Sequence, residues 1–301
     1  LDEPSLETGL TAYQVTAKRI SPGAAGNVLC NLSALGVGRL YAISAVGEDG
    51  EGFELLRCLE KRRVDTSFVL QRADIFTPTY IKPIHAQNGV ETEGNRIDVV
   101  NETGLPACVE SHTLRALLDV AQTACGVLTL DQVSRPGTGV VTQAVRDALA
   151  QTAHSHPDKV FFADSRTSVT AFRNALIKCN DKEASRAVYG AEKEDMDEAQ
   201  LTDCEARLRG ITGADVVITC GAKGAWTDGA LMPAVRLDCP VDICGCGDAF
   251  SAAMVSALCV GATRREAAFL GNLAASVTAC KIGVTGTATP EELLGRYDSL
   301  L

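Results

Sequence analysis

The sequence predicts an α/β fold: a doubly wound, mostly parallel central sheet flanked by helices, with a small β-sheet lid. Short apolar runs of strand length recur along the chain and are nearly continuous, as parallel strands covered on both faces require. Segments with apolar residues three and four positions apart alternate with these runs, which is typical of doubly wound sheets. We expect a single domain over residues 1–301.

The individual elements follow from these two periodicities. Strands are predicted at 40–46, 126–130, 160–163 and 216–220, and helices at 25–35, 50–62, 111–123, 139–153, 169–177, 199–209 and 251–260. Ligands of such sheets bind beyond the carboxyl ends of the strands, which is where Asp131, Asp164 and Gly221 fall.

Two segments, 1–21 and 71–104, lack helical periodicity and are rich in Thr, Val, Ile and Tyr. Within the second, strands are predicted at 77–84 and 96–100, with a turn at Asn88-Gly89. We expect both segments to form the lid. Exposed edge strands readily pair with another chain, so the lid favours a homodimer.

Composition excludes several classes of protein. The 28 basic and 38 acidic side chains give a net charge of −10, which argues against nucleic-acid binding. No run approaches the ~20 apolar residues of a membrane span. The 12 cysteines are scattered without a Cys-x-x-Cys pair, which argues against zinc and against a disulfide framework. Most are expected to be buried hydrophobes in a reducing compartment, so the predicted location is cytoplasmic.

The most informative motif is Gly245-Cys246-Gly247-Asp248, which precedes the predicted helix 251–260. Glycines allow successive N–H groups to point at one spot, and a helix N-terminus favours an anion there. Backbone donors for phosphate charge and a carboxylate that accepts a hydroxyl proton together suit phosphoryl transfer. The alternative is a glycine turn in which Asp248 is a helix N-cap. The helix N-terminus is also expected to favour thiolate at Cys244 and Cys246.

Three further groups of residues are candidates for binding. Small residues around Gly23 open a helix on which Asn27 offers a donor and an acceptor to hydroxyls. Arg166 follows a predicted strand and could bind a substrate phosphate, although a surface ion pair explains it equally well. Asn180 and Glu183 have the spacing of a helix capping box.

The two glycine motifs, in this order, resemble the ribokinase-like (PfkB) carbohydrate kinase family, and the resemblance extends from about residue 19 to residue 292. It is supported by three intermediate matches: Gly47-Glu48-Asp49, Arg63-Val64-Asp65-Thr66 and Thr219-Cys220-Gly221-Ala222-Lys223-Gly224. Segments 19–22 and 95–98 are similar to the heptose-phosphate kinase branch. The sequence departs from the family at Pro22, at Ile243-Cys244 and at Cys246, and the family's first-strand aspartate has no counterpart that we can place.

The resemblance implies a phosphotransferase that uses ATP and magnesium to phosphorylate a hydroxyl of a sugar or sugar phosphate. Asp248 would be the general base, and Gly245, Cys246 and Gly247 the backbone anion hole. Gly23 and Asn27 would hold the sugar; Thr219, Gly221, Lys223 and Gly224 would lie along the nucleotide, with Asn272 near the adenine. Asn180 and Glu183 would organise Mg2+, and Asp242 would lie near a monovalent cation such as K+.

Two alternatives stay open at this point. One is a nucleoside or pyridoxal-type kinase of the same superfamily. The other is a non-catalytic protein that senses a sugar or nucleotide on the same fold; the intact Asp248 and glycine turn speak against it. The sequence does not identify the acceptor.

Overall fold

The computed structural model describes residues 3–87, 89–135 and 137–301. Its strands are β1 (Glu3–Pro4), β2 (Thr11–Ala12), β3 (Leu40–Tyr41), β4 (Ser44–Gly47), β5 (Val64–Asp65), β6 (Val69–Arg72), β7 (Thr79–Ile81), β8 (Ile84–Gln87), β9 (Val90–Glu93), β10 (Ile97–Val99), β11 (Gly126–Asp131), β12 (Val160–Ser165), β13 (Leu176–Asn180), β14 (Val216–Thr219), β15 (Gly224–Thr227) and β16 (Ala230–Pro233). Its helices are α1 (Gly23–Ala34), α2 (Gly50–Lys61), α3 (Ala107–Thr123), α4 (Gln143–Ser155), α5 (Asp181–Tyr189), α6 (Glu198–Thr212), α7 (Cys246–Cys259), α8 (Arg264–Ala279) and α9 (Pro290–Asp298).

Six strands form the main sheet, in the order β11-β12-β13-β14-β15-β16. The first four are parallel, whereas β15 and β16 continue the sheet in antiparallel pairing. The register pairs Asp131 with Ser165 and Asn180 with Thr219, so the carboxyl ends of the parallel strands meet at one edge. The predicted α/β class with a mostly parallel sheet is confirmed.

Alternate side chains of these strands pack into two separate cores. On one face, Phe161, Ile177 and Ile218 pack with buried residues of α3, α4 and α6. On the other face, Phe162 and Val217 pack with α7 and α8. Because strand side chains alternate, burial on both faces requires continuous apolar runs, which is the pattern that the sequence shows.

Two predicted elements of the main body are wrong, and in the lid the strand predicted at 77–84 is divided between β7 and β8. Residues 169–177 form no α-helix: Val169–Ala171 is a single 3-10 turn, and β13 begins at Leu176, where it pairs with both β12 and β14. Residues 40–46 are not one strand, because β3 pairs with β5 while β4 pairs with β6. In both places tertiary strand pairing overrides the local periodicity.

Helix α7 begins at Cys246, five residues before the predicted start. Its N-cap is Gly245, whose φ of +82° lies in the left-handed region that glycine tolerates best. Asp248 is therefore the third residue of the helix and not its N-cap, which leaves its carboxylate available for other contacts.

The two predicted lid segments form short antiparallel ladders rather than one sheet. Strand β1 pairs with β2, β7 with β10, and β8 with β9, a strand that the sequence did not predict. The segments contact each other through the rings of Tyr13 and His85 and through the ion pair of Arg19 with Glu91. Asn88 of the predicted turn and the first two residues of the lid lie outside the described residues.

The cysteines are less buried than predicted. Four are buried, at 30, 179, 204 and 220, whereas Cys108, Cys125, Cys239 and Cys244 are exposed, so the expectation that most fill the core is wrong. Residues 3–87, 89–135 and 137–301 contain no group of three or more His, Cys, Asp or Glu side chains that could hold a metal ion. None of the helices in this part of the chain has both the length and the apolar character needed to cross a bilayer.

Candidate active site

Charged side chains from β12, β13 and the start of α7 lie close together at the carboxyl edge of the sheet. Lys178 Nζ donates a hydrogen bond to Asp164 Oδ2 at 2.9 Å, and the two side chains are only 9 % and 7 % exposed. A Cβ added to Gly247 would lie 3.5 Å from Lys178 Nζ, so the ammonium group lies against the glycine turn. Burial opposes charging of this lysine, but attraction to Asp164 outweighs it and raises its pKa. Lys178 therefore places a fixed positive charge behind the turn.

The sequence analysis missed Lys178. Its signal is a single lysine within a strand whose neighbours, Ile177 and Cys179, are fully buried. A lysine is almost never buried without a partner, so the position itself implies a buried anion. The partner, Asp164, comes from another strand, and one sequence alone does not reveal that pairing.

Asp248 is half-buried, and its carboxylate is oriented by α1. Asn27 Nδ2 donates to Asp248 Oδ2 at 2.9 Å, while Asn27 Oδ1 accepts a hydrogen bond from Ser21 Oγ at 2.9 Å. Burial raises the pKa of Asp248 to about 6, although the Asn27 hydrogen bond and the charge of Lys178 oppose the rise. The carboxylate is thus ionised at neutral pH, yet basic enough to accept a proton. Asn27, predicted to hold the sugar, uses both ends of its amide here.

The backbone donors of the turn differ by one residue from the predicted set. The N–H of Cys246 donates to Ile243 O at 3.2 Å, which occupies one of the three expected donors. The N–H groups of Gly245 and Gly247, both in the predicted set, and of Asp248 have no hydrogen-bond partner within the described part of the chain. Helix N-termini leave such groups unsatisfied, and anions bind to them. The free donors therefore lie at Gly245, Gly247 and Asp248, so Asp248 takes the place predicted for Cys246.

Asn180 and Glu183 form the capping box that their spacing predicted. Asn180 Oδ1 accepts from Glu183 N, and Glu183 Oε2 accepts from Asn180 N, each at 2.8 Å. Burial raises the pKa of Glu183. Both residues also line a cavity of about 230 Å³ together with Arg166, Lys182, Arg186 and Glu192. The structure thus brings three predicted site residues, Arg166, Asn180 and Glu183, to one cavity.

The oxygens of this cavity are of the kind that suits magnesium. Asn180 and Glu183 present amide and carboxylate oxygens, which are hard ligands. Mg2+ is bound through one or two carboxylates and substrate phosphates and keeps several waters, so it needs no complete protein cage. The residues present therefore fit this ion.

The predicted nucleotide turn lies beside Asn180, because Thr219 is its partner across β13 and β14. Gly221 and Gly224 have positive φ, and a Cβ on Gly224 would come within 2.1 Å of Met232 O. Only glycine fits at position 224. Lys223 Nζ lies 3.4 Å from Asp195 Oδ1 in an exposed ion pair.

Asn272 lies next to this turn but is used structurally. Its Nδ2 donates to Met232 O at 2.8 Å and to Pro233 O at 3.2 Å, and the residue is buried. These bonds attach α8 to the end of β16. The structure thus gives no free amide donor at Asn272 for the adenine that the resemblance placed there.

Asp242 holds together the two segments that flank α7 and α8. Its Oδ1 accepts from Cys244 N at 3.0 Å and its Oδ2 from Gly283 N at 2.9 Å, and these bonds lower the pKa of the carboxyl group. Gly23 begins α1 with a φ of +75°, and a Cβ there would meet no atom within 4 Å.

Burial raises the pKa of both Cys244 and Cys246, which opposes the thiolate character expected at this helix N-terminus. Cys246 Sγ donates to Asp242 O and Ala275 O, each at 3.7 Å, so the side chain packs inward while its backbone forms the turn.

The family of this chain follows from its similarity to known proteins. The sequence model described as pfkB family carbohydrate kinase matches residues 2–292. The chain belongs to this family. It is 30 % identical to the bifunctional protein HldE of Geobacter metallireducens and 29 % identical to that of Nitratiruptor sp., in each case over 97 % of this chain. The chain spans 58 % and 60 % of the length of these two relatives.

Solved structures confirm the family's fold. Phosphofructokinase-2 from Escherichia coli in complex with potassium superposes with a TM-score of 0.71 at 19 % identity, covering 92 % of this chain and 87 % of that one. Arabidopsis thaliana ribokinase complexed with ribose and ATP gives 0.69 at 17 % identity, covering 98 % and 92 %. The expected ribokinase-like fold and the class of carbohydrate kinase are both confirmed at the level of the family.

Proposed function

We propose that this chain transfers the γ-phosphoryl group of ATP to a hydroxyl of a sugar or sugar phosphate, with Asp248 as the general base. The observation that carries the proposal is the position of Asp248. A carboxylate whose burial raises its pKa to about 6 lies beside two free backbone donors at the N-terminus of α7. Membership of the pfkB family supports the same reaction.

In this mechanism Asp248 accepts the proton of the acceptor hydroxyl as the oxygen attacks phosphorus. Asn27 orients the carboxylate through its 2.9 Å hydrogen bond. The N–H groups of Gly247 and Asp248 donate to the oxygens of the transferring group, where the loss of one such donor typically costs about 10²–10³-fold in rate. Lys178 lies behind Gly247 and adds a positive charge that water does not screen.

The nucleotide would lie along Thr219, Gly221, Lys223 and Gly224, with its phosphates toward α7. Asn180 and Glu183 would hold magnesium, which neutralises charge on the phosphates when it is bound. A potassium site at Asp242 is part of the proposal, since phosphofructokinase-2 of this fold was solved with potassium.

For the acceptor we favour a sugar phosphate. Arg166 is exposed in the 230 Å³ cavity, and a guanidinium group binds a phosphate through two parallel hydrogen bonds. The sequence resemblance to heptose-phosphate kinases points to the same class. A nucleoside or pyridoxal-type acceptor and a non-catalytic sensor remain the alternatives that the experiment must separate.

A panel assay tests this function. The chain is incubated with ATP, magnesium and, in turn, sugars, sugar phosphates, nucleosides and pyridoxal, and phosphorylated products are identified by mass. We expect turnover with a sugar phosphate, and a higher KM for it in Arg166→Ala than in the wild type. Turnover only with a nucleoside or pyridoxal, or with no acceptor at all, contradicts the proposal.

We also propose that residues 3–21 and 71–104 close over the acceptor as a lid and mediate a homodimer. Lid closure excludes water, which limits wasteful hydrolysis of ATP. The apolar side chains of Tyr80, Ile81 and Ile97 are exposed on the ladders, as a pairing surface requires. A cytoplasmic location accords with the free thiols. A monomer in sedimentation at micromolar concentration would contradict the homodimer.

A further inference from the structure

Two cysteines that are distant in sequence lie in contact outside the glycine turn of residues 245–248. Cys239 Sγ and Cys280 Sγ are 3.2 Å apart, although 41 positions separate them in the chain. Cys239 lies in the segment between β16 and α7, and Cys280 directly follows the last residue of α8. A disulfide has an S–S distance of about 2.05 Å, so a relative movement of roughly 1 Å would allow the bond to form.

The surroundings of the pair suit thiol–disulfide exchange. Cys239 is exposed and Cys280 is half-buried, so a small oxidant reaches the first sulfur. Arg296 Nη2 donates to Cys280 Sγ at 3.4 Å, and a neighbouring cation is the kind of group that supports thiolate chemistry. Either of the two thiols can donate the hydrogen bond that joins them.

This thiol pair lies beside two hydrogen bonds that hold the segment leading into the catalytic turn, residues 245–248. Asp242 N donates to Ala279 O at 2.8 Å, and Gly283 N donates to Asp242 Oδ2 at 2.9 Å. Both bonds join the segment that precedes α7 to the end of α8, next to Cys280. The segment continues directly into Gly245, the N-cap of α7. A covalent bond at Cys239 would therefore constrain the residues that lead to Gly247 and Asp248.

We propose that Cys239 and Cys280 are a modification site, at which a low-molecular-weight disulfide forms a reversible intramolecular disulfide that controls the catalytic turn. The Cys239 thiolate attacks one sulfur of the small disulfide, which breaks its S–S bond and releases one small thiol. The Cys280 thiolate then attacks Cys239 Sγ of the mixed disulfide and displaces the second small thiol. In total the protein loses two protons and two electrons, and the small disulfide is reduced to two thiols.

The expected consequence for activity rests on the proposed function. Forming the bond draws the segment 239–245 and the end of α8 together. This segment leads directly into Gly247 and Asp248, so we expect their free N–H groups to move with it. A displacement of about 1 Å at a catalytic group can cost 10²-fold in rate. We expect oxidation to lower kcat by about tenfold or more and a dithiol reductant to restore it.

The test uses the full chain treated with oxidised glutathione. Peptide mapping without reduction should recover a peptide pair joined through Cys239 and Cys280, and the melting temperature should rise by several degrees and fall back on reduction. The variants Cys239→Ser and Cys280→Ser should lose both effects. Cys108→Ser is the matched control, since Cys108 is exposed and accepts from Arg72 but contacts no described thiol.

Mapping and melting need no kinase activity, so they test the site even if the proposed function is wrong. Only mixed disulfides with glutathione at Cys239, without a link to Cys280, would overturn the proposal. A link that forms in the wild type but leaves the melting temperature and kcat unchanged would overturn its control of the turn.

Discussion

Ion pairs at the carboxyl edge of the sheet differ sharply in burial from those on the ladders of residues 71–104. At the sheet edge, the side chains of Lys178 and Asp164 are less than a tenth exposed. Where the segment 3–21 meets these ladders, Arg19 and Glu91 are 55 % and 57 % exposed. Exposed pairs contribute about 0–1 kcal/mol to stability, because water screens the charges and the side chains lose entropy.

The buried pair behaves in the opposite way. Removing one partner of a buried pair leaves the other charge uncompensated and typically costs about 3–5 kcal/mol. The difference lies in the medium around the charges. The charges at the sheet edge are little screened by water, so they would act strongly on a phosphoryl group transferred there as proposed, whereas water screens the charges of the exposed pair.

The largest expected effect is the loss of turnover in Asp248→Asn. An amide cannot accept the hydroxyl proton, so we expect kcat to fall by about 10²–10⁴-fold. ATP affinity, measured by calorimetry, should stay within a factor of about three, because backbone donors bind the phosphates. Asp203→Asn, the same change in an exposed ion pair with Arg207 on α6, is the control and should keep full turnover. Unchanged turnover in Asp248→Asn would refute the assignment of the base.

The second effect is a loss of stability in Lys178→Met. The Asp164 carboxylate would remain buried without its partner, so the free energy of unfolding in urea should fall by about 3–5 kcal/mol. The double variant Lys178→Met/Asp164→Asn should regain much of that loss, since no uncompensated charge remains. A loss below 1 kcal/mol in Lys178→Met would show that this buried pair contributes no more to stability than the exposed pairs do.

The third effect is a gain of stability in Asp248→Asn, the variant that is expected to lose turnover. The folded-state pKa of Asp248 is raised from 3.8 to about 6, so keeping this carboxylate ionised destabilises the fold above that pH. Asp248→Asn should therefore stabilise the protein at pH 7–8, by up to about 3 kcal/mol. The gain should shrink as the pH falls from about 6 to 3.8, and below that, where the acid is protonated in both states, it should vanish. Denaturation curves at pH 4 and pH 7.5 measure it, and equal stability of both proteins at pH 7.5 would contradict the raised pKa.

The smallest effect is expected on the ladders. Arg19→Ala removes the exposed pair with Glu91 and should change the free energy of unfolding by less than 1 kcal/mol. Glu91→Ala should give a similar value, and 0.5 M salt should abolish both. A loss above 2 kcal/mol in urea denaturation would show that this contact is not a simple surface pair.

Sequence reasoning recovered what depends on local pattern. The buried strand at 160–163 and the capping box at Asn180 and Glu183 follow from residue types at fixed spacing, and the glycine turn before Asp248 does as well. The helix predicted at 169–177 failed because only Val169–Ala171 makes a helical turn, and from Leu176 the chain pairs with two neighbouring strands, which local apolar spacing does not reveal.

The rest depends on contacts between distant residues. Asn27 and Asp248 are 221 positions apart, and Lys178 meets Asp164 across two strands, so neither pairing is visible in a single sequence. The thiolate predicted at Cys246 has a related difficulty. Helix position is visible in sequence, but the burial that raises the pKa of this thiol is a property of the packed structure.

The pH dependence of kcat/KM, compared between the wild type and Asn27→Leu, tests the central claim most directly. This parameter reports the pKa of the essential base in the free enzyme, so the wild type should lose activity below about pH 6. Asn27→Leu removes a hydrogen bond that lowers the pKa of Asp248, so the acidic limb of the pH profile of kcat/KM should move to higher pH in this variant. ATP itself titrates identically for both proteins, which makes the difference between them decisive. An acidic limb at the same pH in both proteins would contradict the claim that Asp248, held by Asn27, is the general base.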